Sequence, residues 1–436
     1  MKHYAIITLG CKVNQCESAA LEGLLNASAM KRSDVAACTD LVVLNTCTVT
    51  GKAAMQSRQA IRQAIRNYPG ATIVVTGCYA QTAPEELRQI NGIDYIVGHN
   101  DKLRIPEILN REVSRPLASK PLLVHDHILH ARCFAPLPSV ASEVRTRAFL
   151  KIQDGCNTHC TYCIVPQARG RSRSMPVEDV LAHLTRLAHL GYREVVLTGI
   201  HLGAYGRDLD PDLSLNTLLQ QIVEHPRPDR IRLSSIEPRE VDSQLIAMVA
   251  TAGPGLCPHF HIPLQSGDNE ILKRMRRPYT REQFFHIVTQ IHSTVPYAAI
   301  GMDVLVGFPG ESDAAFANTL DLINRLPVSY LHVFPFSARK GTPAMEFKDR
   351  VPESLIKKRC QQLRQLGEEK KRHFYQANIG RTLEVLVENT LDEGVSGVSE
   401  NYIPVTVPGA RLPENTLIQV RIDNVTPDLT VVARAG

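Results

Sequence analysis

The stretch "DLVVLNTC", Asp40 to Cys47, is a near-continuous apolar run that ends on a thiol. The chain repeats the device twice more: "YAIITLGC" ends at Cys11 and "ATIVVTGC" at Cys78. Each run is followed by a helical pattern. "CESAALEGLLN" follows the first. "KAAMQSRQAIRQAIRNY" follows the second and puts Ala60, Ile61, Ala64 and Ile65 on one face. "PEELRQI" and a fourth short strand, "DYIVG", follow the third. Strands alternating with helices predict a parallel sheet, and β-branched runs suit strands covered on both faces. In a parallel sheet all carboxyl ends share one edge, where open α/β sheets take ligands. Cys11, Cys47 and Cys78 are therefore expected on one edge. Three thiolates there suit an iron–sulfur cluster with one iron left open. The plain alternative is three ordinary buried cysteines, a common fate of this residue.

The 436 residues allow two to four domains, and the net charge is +5. Residues 1–140 hold 15 Lys+Arg against 11 Asp+Glu, whereas residues 376–436 hold 4 against 8. A mild basic bias of this kind is compatible with nucleic acid without demonstrating it. No apolar run approaches ~18 residues, so no membrane span is expected. The start, "MKHYAIITLG", reads as a strand and lacks the length of a signal segment. A cytoplasmic location is the expectation. Eleven cysteines then argue for metal or redox use over a disulfide framework.

Residues 1–110 are expected to form the first domain, and 111–145, rich in proline and without period, a linker with one or two short strands. From 146 the alternation resumes. "AFLKIQDG", "EVVLTGIH", "RIRLSSIEP", "HFHIPLQSG", "GMDVLVGFPG" and "YLHVFPFSA" are strands with helical patterns between them. Six strand–helix units predict a partial, open (β/α)6 barrel over 146–375, with its functional face at the strands' carboxyl ends. After residue 376 short strands separated by Gly, Pro and Asn predict a small all-β barrel, 376–436.

"GCNTHCTYC" supplies a C-x3-C-x2-C triplet, Cys156, Cys160 and Cys163, directly after the first barrel strand. Three thiolates on one short loop can each reach a different corner of a cubane. Structural zinc wants four ligands, typically from paired motifs, and no second pair lies nearby. Here the chain resembles the radical S-adenosylmethionine (SAM) superfamily, with Tyr162 as the aromatic of the motif. The upstream cysteines, "VPQARGRSRS", "HIPLQSGDNEILKRMRRPYT" and "VLVGFPGES" narrow the resemblance to the methylthiotransferases. Over nearly the whole chain the order matches theirs: cluster domain, radical SAM barrel, small β domain of the TRAM type. "TLGCKVNQ", "NTCTVTGKAAMQSRQAIR" and "SENYIPV" are most similar to the branch acting on N6-threonylcarbamoyladenosine in tRNA, the MtaB type.

The resemblance implies two 4Fe-4S clusters and SAM as cofactors. One cluster would sit on Cys156, Cys160 and Cys163 and the other on Cys11, Cys47 and Cys78, with a methylthio group added to C2 of the adenine at position 37. It implies the tRNA anticodon loop as partner and an electron donor such as flavodoxin or ferredoxin. Tyr162 and polar residues at barrel-strand ends are the expected SAM contacts: Thr198, Gly199, Ser235, Glu237, Gln265, Ser266 and Asp303. Glu237 is the choice for the ribose hydroxyls, by analogy with acidic ribose contacts elsewhere. Arg58, Arg62, Arg169, Arg171 and Arg173 are expected to meet phosphates. The acidic β domain departs from an RNA-gripping role unless Arg381, Arg411, Arg421 and Arg434 gather on one face. Cys16, five residues after Cys11, is an alternative ligand, but it begins a helix instead of ending a strand. Rival readings are a methylthiotransferase for isopentenylated adenosine, one for a ribosomal protein, and a non-catalytic iron–sulfur protein that binds RNA. No feature sets the oligomeric state, and a monomer is the default.

Overall fold

Strands β1 (His3–Thr8), β2 (Lys31–Arg32), β3 (Leu41–Thr46), β4 (Thr72–Gly77), β5 (Tyr95–Val97) and β6 (Leu122–Val124) form one sheet in the order β2-β1-β3-β4-β5-β6. Every pair in it is parallel. The computed structural model describes residues 2–33, 35–111, 120–135 and 146–435. All six residues of β3 are buried, because both faces of the sheet are covered. Val42 and Leu44 pack with Ala54, Ile61 and Ala64 of helix α2 (Gly51–Asn67). Leu41 and Val43 pack on the other side with Leu21 and Leu25 of helix α1 (Lys12–Ala27). Alternate residues of one apolar run thus enter two cores, which is why the run shows no polar alternation.

Two strands were not expected as part of this sheet. β2 is two exposed residues and β6 three half-buried ones, too short to leave a pattern. β6 falls inside the stretch expected as linker and closes the sheet's edge beside β5. The sheet therefore reaches beyond residue 110. Residues 112–119 and 136–145 of that expected linker lie outside the described residues.

The chain divides into two units, Met1–Ser142 with Gln153–Met175 and Ser337–Met345, and Glu143–Ile152 with Pro176–Phe336 and Glu346–Gly436. The second unit holds two parallel arcs. β7 (Arg147–Lys151), β8 (Glu194–Thr198) and β9 (Arg230–Leu233) form one, and β10 (His259–His261), β11 (Ala299–Val306) and β12 (Tyr330–Pro335) the other. Cys257 N–H donates to Ile231 O at 2.9 Å and Ile236 N–H to His261 O at 2.9 Å, joining β9 to β10. Six parallel strands in chain order, with no ladder from β12 back to β7 among the described residues, make the expected open barrel. No helix among the described residues is long and apolar enough to cross a membrane.

The same unit ends in a closed five-stranded barrel. Its strands are β13 (Thr382–Leu391), β14 (Gly394–Ser399), β15 (Pro404–Pro408), β16 (Leu417–Val425) and β17 (Val431–Ala435), ordered β13-β14-β15-β17-β16. It seats on the amino ends of β8 and β9 through buried charge. Arg230 and Arg232 are both 0% exposed and donate to the Glu194 carboxylate at 2.6 and 2.7 Å. Their terminal nitrogens also donate to the carbonyls of Glu384, Ser399 and Glu400. Burial pushes the Glu194 carboxyl up, but the two guanidiniums hold it down at about 2. Its folded pKa lies below the ordinary 4.5, so its contribution is complete above that pH and fades as pH falls towards about 2. Glu194→Ala strands two buried cations and is expected to cost about 3–5 kcal/mol. Thermal unfolding checks this: the loss should be full at pH 7 and shrink below pH 4.5.

Candidate metal centres and their surroundings

The three N-terminal cysteines follow three adjacent strands. β3 and β4 run level from Leu41↔Thr72 to Thr46↔Gly77, and β1 joins β3 up to Thr8↔Asn45. Cys47 and Cys78 come next on neighbouring strands, and Cys11 caps α1. Glycines bring the chain close. Gly10, at φ +97°, lies so near Cys47 that a Cβ there would sit 2.8 Å from its sulfur. Gly77, at φ +95°, would put a Cβ 2.4 Å from the Thr46 carbonyl oxygen. Only glycine tolerates both the left-handed backbone and that approach. Asn14 from α1 ties the strand ends, its amide donating to Leu9 O at 2.7 Å and Thr46 O at 3.2 Å. Ser57 of α2 holds Cys47 by accepting its N–H and donating to its carbonyl.

Cys47 and Cys78 are 5% and 3% exposed, and Cys11 is exposed. Burial pushes the Cys47 thiol up to about 11, with the neighbouring Cys78 adding to the rise. Burial raises Cys78 too, against the pull of Arg169. Such thiols stay protonated unless a metal takes the proton's place, and a coordinating thiol is deprotonated outright. A trio of soft sulfur donors at one sheet edge fits an iron–sulfur cluster with one open iron. Cys16 is buried within α1, on its packed face.

The second triplet is held by a local fold. Gln153–Asp154 pairs antiparallel with Arg173–Ser174, closing the loop between them. The Gln153 amide donates to Asp154 O, Gly155 O and Ser172 Oγ. Gly155, at φ +70°, lies where a Cβ would be 1.9 Å from Arg171 O. Cys156 N–H donates to Gly170 O at 3.1 Å, and Cys163 N–H to Cys160 O at 3.1 Å. The Thr158 N–H points at Cys156 Sγ at 3.3 Å, the kind of hydrogen bond that steadies a cluster thiolate. Cys160 is buried, and Cys156, Tyr162 and Cys163 are half-buried.

Arg169 and Arg173 are not phosphate contacts: they are 0% and 4% exposed. Arg169 ends the short helix Val165–Arg169. Its guanidinium donates to Glu17 Oε1 and Asp154 Oδ1, each at 2.9 Å, and to Asn14 Oδ1 at 2.6 Å. Arg173 donates to Arg169 O. Lys102 pairs with Glu17, and His99 Nε2 lies 3.1 Å from Asp154 Oδ2. Burial holds the His99 imidazole neutral, its pKa lowered to about 4. Burial opposes the charge of Arg169, but Cys78, Glu17 and Asp154 together raise its pKa well above the ordinary value. One buried cation thus joins the first turns of α1, which begin at Cys11, to the loop of Cys156, Cys160 and Cys163. The spacing of Asn14 and Glu17, one turn apart on α1, was the available signal for this cluster. Arg62 and Arg171 are exposed, and Arg58 is half-buried with its guanidinium 2.9 Å from Tyr79 Oη.

Among the SAM candidates, Thr198 is buried at the end of β8, Gly199 and Glu237 are half-buried, and Ser235 is exposed. Glu237 is paired through one oxygen with Arg277. Gln265 and the buried Ser266 follow β10, and Gln265 sits at φ +63°. Such a backbone costs of order 1 kcal/mol in a non-glycine residue and persists where its surroundings enforce it. Asp303 departs from expectation: it lies mid-strand in β11, three residues before the end, and its carboxylate accepts from His261 and His332. The strand runs on because Val304 and Val306 continue the buried alternation.

Of the four arginines of the small barrel, Arg421 and Arg434 are exposed and directly opposite each other on β16 and β17. Arg381 is exposed beside the Tyr297 ring, 5.1 Å away, and Arg411 is exposed on a loop.

Residues 150–323 match the Radical SAM superfamily, and residues 3–98 match a family described as Uncharacterized protein family UPF0004. The chain is 38% identical over 432 residues to the threonylcarbamoyladenosine tRNA methylthiotransferase MtaB of Bacillus subtilis, spanning 97% of this chain and 94% of that one. It is 34% identical over 441 residues to the tRNA-2-methylthio-N(6)-dimethylallyladenosine synthase of Pelotomaculum thermopropionicum, spanning 95% and 97%. Among solved structures, the radical S-adenosylmethionine methyltransferase TsrM of Kitasatospora setae superposes with a TM-score of 0.56 over 79% of this chain and 77% of that one. At 17% identity that likeness speaks for the fold alone.

Proposed function

This chain belongs to the radical SAM methylthiotransferase family, and on that premise we propose that it adds a methylthio group to C2 of N6-threonylcarbamoyladenosine at position 37 of tRNA. The observation that carries the reaction type is the pair of separate three-thiol sets in one chain. The choice of base rests on the full-length similarity to the Bacillus subtilis enzyme. When bound, two 4Fe-4S clusters and SAM supply the radical chemistry and the sulfur.

The chain's own residues do the holding. Cys11, Cys47 and Cys78 hold one cluster, and Cys156, Cys160 and Cys163 the other. Arg169 keeps a positive charge beside the first set in a water-poor interior, where it favours thiolate. Thr198, Gly199, Ser235, Gln265 and Ser266 offer backbone and hydroxyl groups to SAM at strand ends, with Tyr162 against its adenine. Glu237 keeps one oxygen unpaired by Arg277 for a ribose hydroxyl.

The anticodon loop is the partner, with its base splayed out of the stack to reach a closed site. Arg58, Arg62 and Arg171 are the phosphate contacts of the first unit. Arg421 and Arg434, exposed and opposite each other across two strands, join them; Asp423, 3.5 Å from Arg434, offsets only part of their charge, and a phosphate between them offsets the rest. A flavodoxin or ferredoxin donates electrons, and the site of action is the cytoplasm. Nucleoside mass spectrometry of tRNA from a strain lacking the gene tests the proposal. The methylthio form of threonylcarbamoyladenosine should vanish and return with the gene. Its persistence, or loss of methylthio-isopentenyladenosine instead, would give the substrate to the rival reading.

A further inference from the structure

β10, β11 and β12 present a row of polar rings on one face. His261 pairs in register with Gly301, Gly301 with Tyr330, and Asp303 with His332. The other face of β12 is covered by the helix Glu353–Gln376, whose Gly367 would put a Cβ 3.2 Å from Leu331 Cβ. On the open face the Asp303 Oδ1 atom lies 2.9 Å from His261 Nε2 and 3.2 Å from His332 Nδ1. The two imidazoles hold that carboxyl well below the usual carboxylate range, against the upward push of burial. Both nitrogens of His261 are engaged, Nδ1 with Tyr330 Oη at 3.1 Å. His332 differs. Its side chain is 53% exposed, and its Nε2 meets no partner among the described residues. Two residues on, along the same face, Phe334 is 42% exposed and edge-on to the His332 ring at 6.3 Å.

We propose that His332 and Phe334 form the recognition site for the modified base, Phe334 stacking on its π-face and His332 hydrogen-bonding the carboxylate of its threonylcarbamoyl group. The assignment rests on the substrate reading above and says which residues select that base. An anionic group on an aromatic ring needs a donor and an apolar platform side by side, and this strand supplies both. In the imidazolium form the ring gives Nδ1–H to Asp303 and presents Nε2–H outward, so Asp303 is a positioning residue. Two imidazoles and a carboxylate also suit a divalent metal. A metal would leave the exposed Phe334 without a role and would have to displace the hydrogen bonds that His261 already makes.

The test is equilibrium binding by the reconstituted full chain to three anticodon stem-loops. They carry adenosine, N6-threonylcarbamoyladenosine, and the same base with its carboxylate converted to the amide. Wild type should prefer the carboxylate over the amide by about tenfold, the worth of one charge-assisted hydrogen bond. His332→Ala should bind both alike while holding the adenosine loop as wild type does. Phe334→Ala should weaken both modified loops by a common factor, and Phe334→Tyr should restore them. Cluster iron should be unchanged in each variant. A His332→Ala chain that keeps the full preference overturns the assignment. So does loss of one equivalent of bound divalent metal in that variant. Wild type that does not tell the modified loop from adenosine overturns the substrate reading and this assignment together.

Discussion

Arg169→Leu is expected to be the most damaging single change outside the cysteines. It removes a cation that is 0% exposed and leaves Glu17 and Asp154 buried with one partner fewer. Breaking a buried pair from one side costs about 3–5 kcal/mol, a large part of a domain's stability. Its neighbours compensate only in part: Arg173 keeps a 3.7 Å contact to Asp154, Lys102 is already paired with Glu17, and burial keeps His99 neutral near pH 7. The change also takes away the charge that draws the Cys78 thiol towards ionisation, so iron uptake at Cys11, Cys47 and Cys78 should fall with it. Arg169→Lys keeps the charge but loses the fork that reaches Asn14, Glu17 and Asp154 at once, and should fall between. Arg171→Leu, two residues on and exposed, should shift unfolding by about 0.5 kcal/mol or less. Denaturant unfolding of the metal-free chains ranks the three, and equal midpoints for the Arg169 and Arg171 variants would show that the buried cation does not stabilise the fold.

Cys47→Ala is expected to abolish methylthio transfer while the chain stays folded. Changes in the outer shell of a metal site typically cost about 10–100-fold, and loss of a ligand should exceed ~100-fold. Cys47 has no substitute at its place: the chain arrives there from β3, fixed by Ser57 and pressed against Gly10. Cys16→Ala is the matched control. It removes a buried sulfur from the packed face of α1, so it should cost about 1 kcal/mol of stability and leave turnover near wild type. Formation of 5′-deoxyadenosine and of methylthiolated RNA should be followed separately. Cys47→Ala should lose the second and keep the first if SAM is cleaved at the loop of Cys156, Cys160 and Cys163, as proposed above. Loss of both would mean that the two thiol sets do not work separately.

What could be read from the chain depended on how local each signal was. The apolar runs ending at Cys11, Cys47 and Cys78 carry their period, their turn residues and their thiols within eight residues. Their parallel pairing follows from the helices between them. β2 and β6 have two and three residues and borrow their pairing from β1 and β5, so no local pattern marks them. The charges around Arg169 leave no local pattern for a different reason. Asn14 and Arg169 are 155 positions apart, and an arginine run beside "RGRSRS" looks like an RNA contact until burial is known. Asp303, expected at a strand end, lies inside β11 because the buried alternation runs on to Val306. The same register places it opposite His332, a pairing that only the sheet reveals. The acidic balance of the last domain likewise said nothing of Arg421 and Arg434, which the register of β16 and β17 sets face to face.

Two separate thiol sets in one chain imply two independent iron–sulfur clusters. The direct measurement is iron and acid-labile sulfide per chain after anaerobic reconstitution, on four proteins. These are wild type, the Cys11, Cys47 and Cys78 triple alanine variant, the Cys156, Cys160 and Cys163 triple alanine variant, and the chain lacking all six. The expected result is about eight iron atoms for wild type, about four for each triple variant and none for the last. Wild-type iron in the first triple variant would rule out the second cluster, leaving one exposed and two buried free cysteines at the edge of a sheet.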